Sequence, residues 1–318
     1  MNRTHRGNPD RGVSTVADVS LAIVLIVAAA GVLVTFADGS EQRHEPLEAD
    51  HTAQTVAAST LNTTYNVSAA VDALDEEYDY DSPYEDDQLE RVTHGPVAAQ
   101  IADVAVANVE FSGERLSKEA VDYERVLDER LQTRLADVQF NTQVSAHWTP
   151  FGGADVRGTT TIGQTPPSDA DVSTTTFSVS SGMPDAREEA IDAVETDSDY
   201  HAVARAVADA VVAGYVPELE SQRALESSGL DYLLTTYRYN RMATLLAGDT
   251  DEFERNDWLV PTEADSAAAN AYLSDHLAAE LEHQLEALDG DVYDSATEAA
   301  QHVSTDEVTI IVRTWTDD

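Results

Sequence analysis

The chain has 318 residues, 42% of them hydrophobic, which is enough for a core in one large domain or two medium ones. Its 60 acidic residues against 18 basic ones give a formal net charge of −42, and such a surface repels phosphate backbones and excludes nucleic acid as a partner. The chain contains no cysteine, which excludes disulfide bonds, thiolate nucleophiles and thiolate metal sites.

Lysine is almost absent from this acidic chain. Lys118 is the only one, and the remaining cationic residues are arginines. This composition resembles that of proteins from extreme halophiles, where molar salt shortens the Debye length to about 3 Å and screens the self-repulsion of the surface. The composition therefore predicts a fold that depends on high salt.

The first predicted element is an apolar helix. The segment Val19–Ala37 has 19 residues without a charge, close to the roughly 20 that a helix needs to cross the hydrocarbon layer. Arg3, Arg6 and Arg11 precede it and acidic residues follow it. Because positive charge is retained in the cytoplasm, we expect the amino terminus inside and the residues from about 40 onward outside.

The residues just before this segment resemble a processing site. Arg11-Gly12 is followed by Val13-Ser14-Thr15-Val16 and then by the apolar helix, which resembles the class III signal of archaeal type IV pilins and pilin-like proteins. In that family a prepilin peptidase cuts on the cytoplasmic side, before the apolar stretch. The resemblance implies a cut after Gly12 that leaves Val13 as the new amino terminus. The retained helix would then serve as a membrane anchor and pack against other pilin-like subunits in a filament.

An ordinary secretory signal peptide is the alternative interpretation of this segment. The apolar run is longer than the usual signal core of about 7 to 15 residues. In addition, Ala37-Asp38-Gly39 is a poor cleavage site for a signal peptidase.

The resemblance also suggests a role for Asp18. A carboxylate close to the bilayer boundary is costly unless it is paired, so Asp18 is expected to pair with the Val13 amine in an assembled bundle. A hydrated Asp18 at headgroup depth is the alternative. The length of the chain favours a minor pilin, a tip or priming subunit, or an unassembled surface protein over the bulk filament component.

These signals divide the chain into four parts. We predict a cytoplasmic leader over residues 1–12, a transmembrane helix over 13–37, a stalk over 38–50 and an extracellular domain over 51–318. The fold class predicted for the whole chain is α+β, with an amino-terminal transmembrane helix followed by an antiparallel β-sheet with packed amphipathic helices.

Two N-glycosylation sequons lie in the first predicted strand of the outer domain. Residues 61–67 alternate in polarity after a short helical lead-in, which predicts a strand. The sequons Asn62-Thr63-Thr64 and Asn66-Val67-Ser68 fall in or beside this strand. On an exported face, Asn62 and Asn66 are usable acceptors.

The segment Asp72–Arg91 has the highest density of charge in the chain. Its ten carboxylates, with three tyrosines and one proline, predict a mobile loop because a helix of this composition is unfavourable. A calcium site is one interpretation, since several of its carboxylates are available as oxygen ligands: Asp79, Asp81, Glu85, Asp86 and Asp87. The segment lacks the glycine and terminal glutamate of an EF-hand loop, so a solvated loop is the preferred interpretation.

Periodicity predicts the elements in the middle of the outer domain. Apolar residues at helical intervals predict helices over 96–111 and 114–137, separated at Ser112-Gly113. The stretch between residues 138 and 182 is rich in valine, threonine and aromatic residues. Its glycine and proline breaks predict three antiparallel strands in a meander.

The carboxyl-terminal part of the chain returns to a helical pattern. We predict helices over 184–248 with a break at Gly214–Pro217, an acidic loop over 249–258, and a further amphipathic helix over 264–288. Residues 306–318 are β-branched and partly alternating, which predicts a last strand that pairs with those between 138 and 182 or with the one near 61–68.

Few residues of the sequence indicate a metal-binding or catalytic site. His276, Glu280 and His283 share one face of a predicted helix, and two imidazoles with one carboxylate are suitable zinc ligands. A solvated polar face explains the same residues, and we favour that interpretation. No phosphate-binding loop, nucleophile elbow or dinucleotide motif is found in a supporting context, so we expect neither an enzyme nor a cofactor.

Aromatic residues outside the helix signals have two interpretations. His147-Trp148 and the group Tyr232, Tyr237 and Tyr239 are suited either to a ligand groove or to the core. We favour the core, because aromatic residues at this spacing more often fill one.

Two functions follow from the sequence. The first is a pilin-like surface protein, a minor or accessory subunit of a type IV pilus-like filament in a halophilic archaeon. The second is a single-pass anchored ectodomain that binds a ligand or hydrolyses a substrate at the cell surface, with the helix as a tether. Both predict a cell-membrane protein with its carboxyl-terminal domain outside.

The first testable prediction concerns salt. We expect the detergent-solubilised protein to keep its far-UV circular dichroism spectrum in molar KCl and to lose it in dilute buffer, because only high salt screens a net charge of −42. A spectrum that is the same in both buffers would contradict the halophilic interpretation.

Overall fold

The computed structural model of the protein describes five stretches of the outer part of the chain: residues 47–78, 83–135, 140–196, 199–248 and 250–316. All of them belong to one compact unit, Gln42–Asp318. The predictions for Gly12, Val13, Asp18 and the apolar segment Val19–Ala37 lie outside the described residues. Among the helices that are described, none has both the length and the apolar character needed to cross a membrane.

The domain begins with two helices and a small sheet. Helix α1 (Leu47–Ala58) leads into strand β1 (Thr60–Asn66), which helix α2 (Ser68–Tyr78) follows. After a 3-10 turn at Asp86–Gln88, strand β2 (Glu90–Pro96) pairs antiparallel with β1 along its full length. The predicted strand near residues 61–67 and its helical lead-in are therefore confirmed.

Two predictions for this region are wrong in part. Helix α1 starts at Leu47, so the last four residues of the predicted 38–50 stalk are helical. Much of the predicted mobile loop over 72–91 is ordered as the end of α2, the 3-10 turn and the start of β2. The helix forms there because Val71 and Leu74 are buried, and this apolar face outweighs the local charge.

The next elements are two helices joined by a short hairpin. Helix α3 (Val97–Ala107) and helix α4 (Val121–Leu135) flank the two-residue strands β3 (Glu110–Phe111) and β4 (Glu114–Arg115). Both predicted helices are present. The predicted break at Ser112-Gly113 is the turn of the hairpin, where both residues have positive φ.

The main sheet has four strands: β5 (Asn141–Trp148), β6 (Gly158–Gly163), β7 (Ser173–Ser180) and β8 (Glu307–Trp315). Their order is β6-β5-β8-β7 and every pair is antiparallel. The predicted meander is therefore wrong, since the carboxyl-terminal strand lies between β5 and β7. The three predicted strands and the final strand are all present, and the final strand pairs with two of them.

The sequence of β8 explains its central position. Val308, Ile310 and Val312 point to one side of the strand and are completely buried. A strand with such a face is stabilised most in the middle of a sheet, where both of its edges are hydrogen-bonded and its neighbours cover its side chains.

Helices make up the rest of the chain between β7 and β8. They are α5 (Arg187–Thr196), α6 (Tyr200–Tyr215), α7 (Glu218–Leu225), α8 (Leu230–Ala247), α9 (Asp251–Arg255), α10 (Ser266–Ala287) and α11 (Ala296–Gln301). The two long helices α6 and α10 pack extensively on each other. The predicted break between residues 214 and 217 is confirmed, because α6 ends at Tyr215 and Pro217 precedes α7. The predicted acidic loop over 249–258 contains the short helix α9.

The domain is α+β with antiparallel sheets and packed helices, as the sequence predicted. Helices α1 and α3 pack against the apolar side of the main sheet, and a single hydrophobic cluster joins the sheet to the helices. Trp148, Tyr237 and Tyr239 are fully buried, which confirms the core prediction for these three. The prediction is wrong for His147, which is exposed, and Tyr232 is only partly buried. The Trp148 indole Nε1 donates a hydrogen bond of 2.8 Å to the Thr305 carbonyl.

Gly158 provides a test of this packing. It lies at the start of β6, where a Cβ atom would stand 2.1 Å from the backbone carbonyl oxygen of Ala105 in α3. We expect Gly158→Ala to lower the free energy of unfolding by about 1–3 kcal/mol. The reason is that the backbone of α3 would have to move away from the new methyl group, and this would disrupt the packing of a buried helix. The measurement is urea unfolding at constant molar KCl.

Gly95 in β2 is the matched control, because a Cβ atom there would meet no atom within 4 Å. Gly95→Ala should leave the unfolding midpoint almost unchanged. Equal losses in the two variants would show that α3 does not lie against β6 in this way.

Candidate functional site: an arginine-lined cleft

The described part of the chain contains both predicted glycosylation acceptors, Asn62 and Asn66. The Asn62 side chain is exposed on β1, and its Oδ1 lies 2.6 Å from His94 Nδ1. Asn66 is more constrained. Its Nδ2 donates 2.8 Å to the Asp86 carbonyl, and its Oδ1 accepts 2.7 Å from the Ser68 backbone N–H at the start of α2. Asn62 is therefore the more accessible sequon of the two.

The predicted metal ligands are not brought together. The described residues contain no group of three or more histidine, aspartate or glutamate side chains placed to hold a metal ion. His276 contacts the ring of Tyr272, with ring centroids 4.4 Å apart. Two of the proposed calcium ligands, Asp79 and Asp81, lie outside the described residues.

A cleft lies between the small sheet and the helices α7 and α8. Its volume is about 510 Å³. The residues that line this arginine cleft come from β1, β2, the residues before α4, and both helices: Tyr65, Val67, Arg91, Glu119, Pro217, Glu220, Ser221, Arg223, Ala224, Ser227, Asp231, Leu234, Thr235 and Arg238. The lining combines apolar and charged side chains, which suits a polar ligand more than a purely apolar one.

A bidentate ion pair between Arg238 and Glu119 lines the cleft. Arg238 Nε and Nη2 donate to the two carboxylate oxygens of Glu119, each at 2.6 Å. The Ser117 hydroxyl positions Glu119, because it accepts from the Glu119 backbone N–H and donates to the same carboxylate. Although burial opposes the charge of Arg238, the neighbouring Glu119 holds the pKa of Arg238 above its ordinary value.

The other two arginines of the cleft differ in their partners. Arg91 Nη2 lies 2.5 Å from Asp231 Oδ1 at the mouth of the cleft. Arg223 forms no ion pair with another described residue. Three arginines therefore line one cleft of a chain that has only 18 basic residues. This concentration favours a ligand with negative charge or with several hydrogen-bond acceptors.

A smaller cavity of about 200 Å³ shares Glu119 and Arg238 with the cleft. Asp103 of α3 and Tyr215 at the end of α6 line it. The Asp103 carboxylate keeps contact with solvent, but the protein atoms packed around it raise its pKa to about 6 through desolvation. Burial, and then the negative charge of Glu119, raise the pKa of Tyr215.

Stacked tyrosines form the wall beside these groups. The rings of Tyr65 and Tyr123 are 4.4 Å apart and nearly parallel. Burial raises the pKa of both hydroxyls, and the charge of Asp103 adds to the effect on Tyr123. No histidine is found among the described residues that line either cavity. The arrangement of tyrosines and paired carboxylates is suited to binding a polar ligand.

Sequence reasoning missed this site. Glu119 and Arg238 are 119 residues apart in the chain, and each is one charged residue among many on a helical pattern. The one signal available is the scarcity of basic residues, which makes every arginine a candidate for a specific role.

The raised pKa of Asp103 gives a pH-dependent prediction. Its ordinary pKa is 3.8 and the folded value is about 6, so the folded state binds the proton more tightly than the unfolded state does. The stability associated with this proton is present below about pH 4 and is lost as the pH rises through about 6. We therefore expect Asp103→Asn to raise the free energy of unfolding at about pH 8, on the order of 1 kcal/mol after discounting for solvent screening.

At about pH 4 the same substitution should raise stability much less, because Asp103 is then protonated in the folded state and partly protonated in the unfolded state. Denaturant unfolding at the two pH values measures the difference. Asp72→Asn, at an exposed position on α2, is the matched control for the loss of one negative charge. A gain that is the same for both variants at both pH values would contradict the assignment.

Comparison with known protein families identifies the family to which the chain belongs. A model described as a family of unknown function (DUF7284) matches residues 17–315. The match takes in far more than half of the chain, so the chain belongs to this family. No curated protein and no solved structure gives a significant match.

Proposed function

We propose that this member of the DUF7284 family is a pilin-like, membrane-anchored surface protein, a minor or accessory subunit of a type IV pilus-like filament in a halophilic archaeon. One observation carries the proposal: Arg11-Gly12-Val13 stands directly before an uncharged apolar segment long enough to span a membrane. A cut after Gly12 keeps this helix in the mature protein. The amino terminus then lies on the cytoplasmic side and the α+β domain lies outside the cell.

The extent of the family match supports a retained helix. The match starts at residue 17, so it takes in the apolar segment Val19–Ala37 together with the α+β domain. An anchor that belongs to the working protein is expected to form one unit with the domain it carries. A disposable export signal has no such requirement.

The proposal names the partners of the protein. A prepilin peptidase would act at Gly12, and other pilin-like subunits would pack around the apolar helix, with Asp18 paired to the Val13 amine of a neighbour. The acidic outer domain, with Asn62 accessible for glycosylation, would be displayed at the cell surface. The proposal requires no cofactor and no nucleic acid.

The arginine cleft favours a second candidate function. An anchored ectodomain that binds a small ligand at the cell surface would need a preformed polar cleft, and the site around Arg238 and Glu119 has that form. In this case the apolar helix is only a tether, and processing after Gly12 is not required.

Processing separates the two candidates. If the protein is pilin-like, the species purified from native membranes begins at Val13, and Gly12→Val causes a precursor 12 residues longer to accumulate, because a bulky residue before the cut blocks the peptidase. Amino-terminal sequencing and intact mass measure both outcomes.

Gly7→Val is the matched control, since Gly7 lies in the same leader but not at the cut. It should leave processing unchanged. A native protein that begins at Met1 would favour the tethered ectodomain, and one that begins downstream of Phe36 would contradict both candidates.

A further inference from the structure

The side of the main sheet opposite the core is a regular polar surface. Strand pairing aligns its outward residues in three rows across the order β6-β5-β8-β7. The rows are Gly163-Gln143-Arg313-Thr174, Thr161-Ser145-Ile311-Thr176 and Thr159-His147-Thr309-Ser178. We call these twelve positions the threonine face. Its two edge strands, β6 and β7, expose their threonines and serine to solvent, whereas Gln143 and Ser145 of the inner strand β5 are only 4% and 5% exposed.

The threonine face contains no carboxylate. Aspartate and glutamate make up 60 of the 318 residues of the chain, almost one in five. The twelve positions of the face hold five threonines and two serines, and Arg313 supplies their only fixed charge. The acidic residues resume immediately beyond the rows, since Glu307 precedes Thr309 by two positions on β8.

Two side chains of the face are able to carry a positive charge, Arg313 and His147. Arg313 Nη1 donates 3.0 Å to Gln143 Oε1 on the neighbouring strand. Burial, and then the charge of Arg313, lower the pKa of His147, so His147 is neutral at pH 7. The face therefore has one positive charge on a protein whose net charge is −42.

We propose that the threonine face is the contact surface for a second copy of this chain, face against face. Two copies that each carry 42 excess negative charges meet most cheaply where no carboxylate has to leave water. Contact confined to the three rows desolvates no carboxylate within them and leaves two at their rim, Glu307 in the next outward row and Asp128, which accepts from the Gly163 backbone N–H. Depletion of charged residues is the mark of interface cores. Opposed sheet faces pack about 10 Å apart, and the small threonine and serine side chains that dominate the face suit this spacing.

The size of the face shows what kind of contact it makes. Four strands about 4.8 Å apart and three rows about 6.7 Å apart cover roughly 400 Å². A stable interface buries about 800 Å² on each partner, so the face alone supports a weak pair. The proposal therefore rests on the proposed function, in which anchoring in one membrane or filament holds copies at a high effective concentration.

The small β1–β2 sheet offers a competing surface. Its outward rows Asn62-His94 and Thr64-Val92 also lack carboxylates. They span two strands instead of four, and Glu90 stands next to them on β2 as Glu307 stands next to the threonine face on β8. The smaller strip therefore buries about half the area, and it serves as the control in the experiment.

Cross-linking tests the proposal. The natural chain has no cysteine, so Thr176→Cys places one thiol on the threonine face and Thr60→Cys places one on the exposed side of β1. Each full-length variant is treated in native membranes, at molar KCl, with a bifunctional maleimide whose span exceeds the width of the face. We expect a covalent dimer from Thr176→Cys and little or none from Thr60→Cys. Equal yields from the two variants, or no dimer from either, would overturn the proposal.

A substitution that adds a negative charge to the threonine face gives a second test in the same cross-linking experiment. Thr161→Glu, made in the Thr176→Cys background, puts a carboxylate on the opposite edge of the face. We expect the dimer yield to fall about ten-fold, equivalent to about 1.4 kcal/mol in association. Thr161→Gln, with the same length and no charge, should retain most of the yield, and circular dichroism checks that both variants fold. A yield unaffected by Thr161→Glu would contradict a face-to-face contact.

Failure of this inference can be told apart from failure of the proposed function. The same membranes report the amino terminus by sequencing. A Val13 terminus without a Thr176 cross-link overturns the threonine face and leaves the pilin-like proposal intact. A Met1 terminus with the cross-link overturns the pilin-like proposal and leaves a self-associating anchored ectodomain.

Discussion

A net charge of −42 on 318 residues constrains every surface of this protein, because each carboxylate must stay hydrated or find a cation. With 18 basic residues for 60 acidic ones, most carboxylates have no cationic partner to find. The ion pairs that do form often join distant segments. Arg238 binds Glu119, Arg91 binds Asp231 and Arg241 binds Glu114, and each pair links residues more than 100 positions apart. The scarce arginines thus stabilise tertiary structure as well as single helices.

The same constraint makes two regions of the domain stand out. In the arginine cleft, three arginines and three carboxylates share the lining, and Arg91 and Arg238 are ion-paired while Arg223 is not, so a local balance of charge occurs on a strongly acidic protein. On the threonine face, carboxylates are absent altogether. The cleft is concave and charged, which suits a small polar ligand. The face is broad and nearly uncharged, which suits another protein surface. The two regions therefore support different kinds of binding.

Local periodicity predicted most of the secondary structure. Helices α6 and α10 and strand β8 have strong apolar patterns with clear ends, and Pro217 marked the break after α6. The loop prediction for 72–91 failed because it weighed local charge and missed the apolar face of α2, which is buried against α8. That burial depends on residues more than 150 positions away, and no local pattern contains it.

The order of the strands in the main sheet could not be predicted from the sequence, for the same reason. Residues 138–182 show three strands in succession, and the simplest arrangement pairs neighbours in sequence. The structure instead inserts β8, which ends the described chain, between β5 and β7. The alternation of apolar residues within β8 was visible in the sequence. The strands that β8 pairs with, however, depend on which strands of the folded sheet still have an edge without hydrogen-bond partners. The arginine cleft was hidden too, since it forms only when β1, α7 and α8 come together.

The central place of β8 also determines the character of the threonine face. Acidic residues stand at both ends of this strand in the sequence, Asp306 and the first strand residue Glu307 at one end and Asp317-Asp318 beyond the other, but residues 308–316 contain none. On the core side this absence is required, because Val308, Ile310 and Val312 are fully buried. On the outward side burial does not require it, since Thr309, Ile311 and Arg313 keep partial contact with solvent. In a chain where almost one residue in five is acidic, these three outward positions carry no acid, and the proposed contact with a like-charged copy gives a physical reason for the omission.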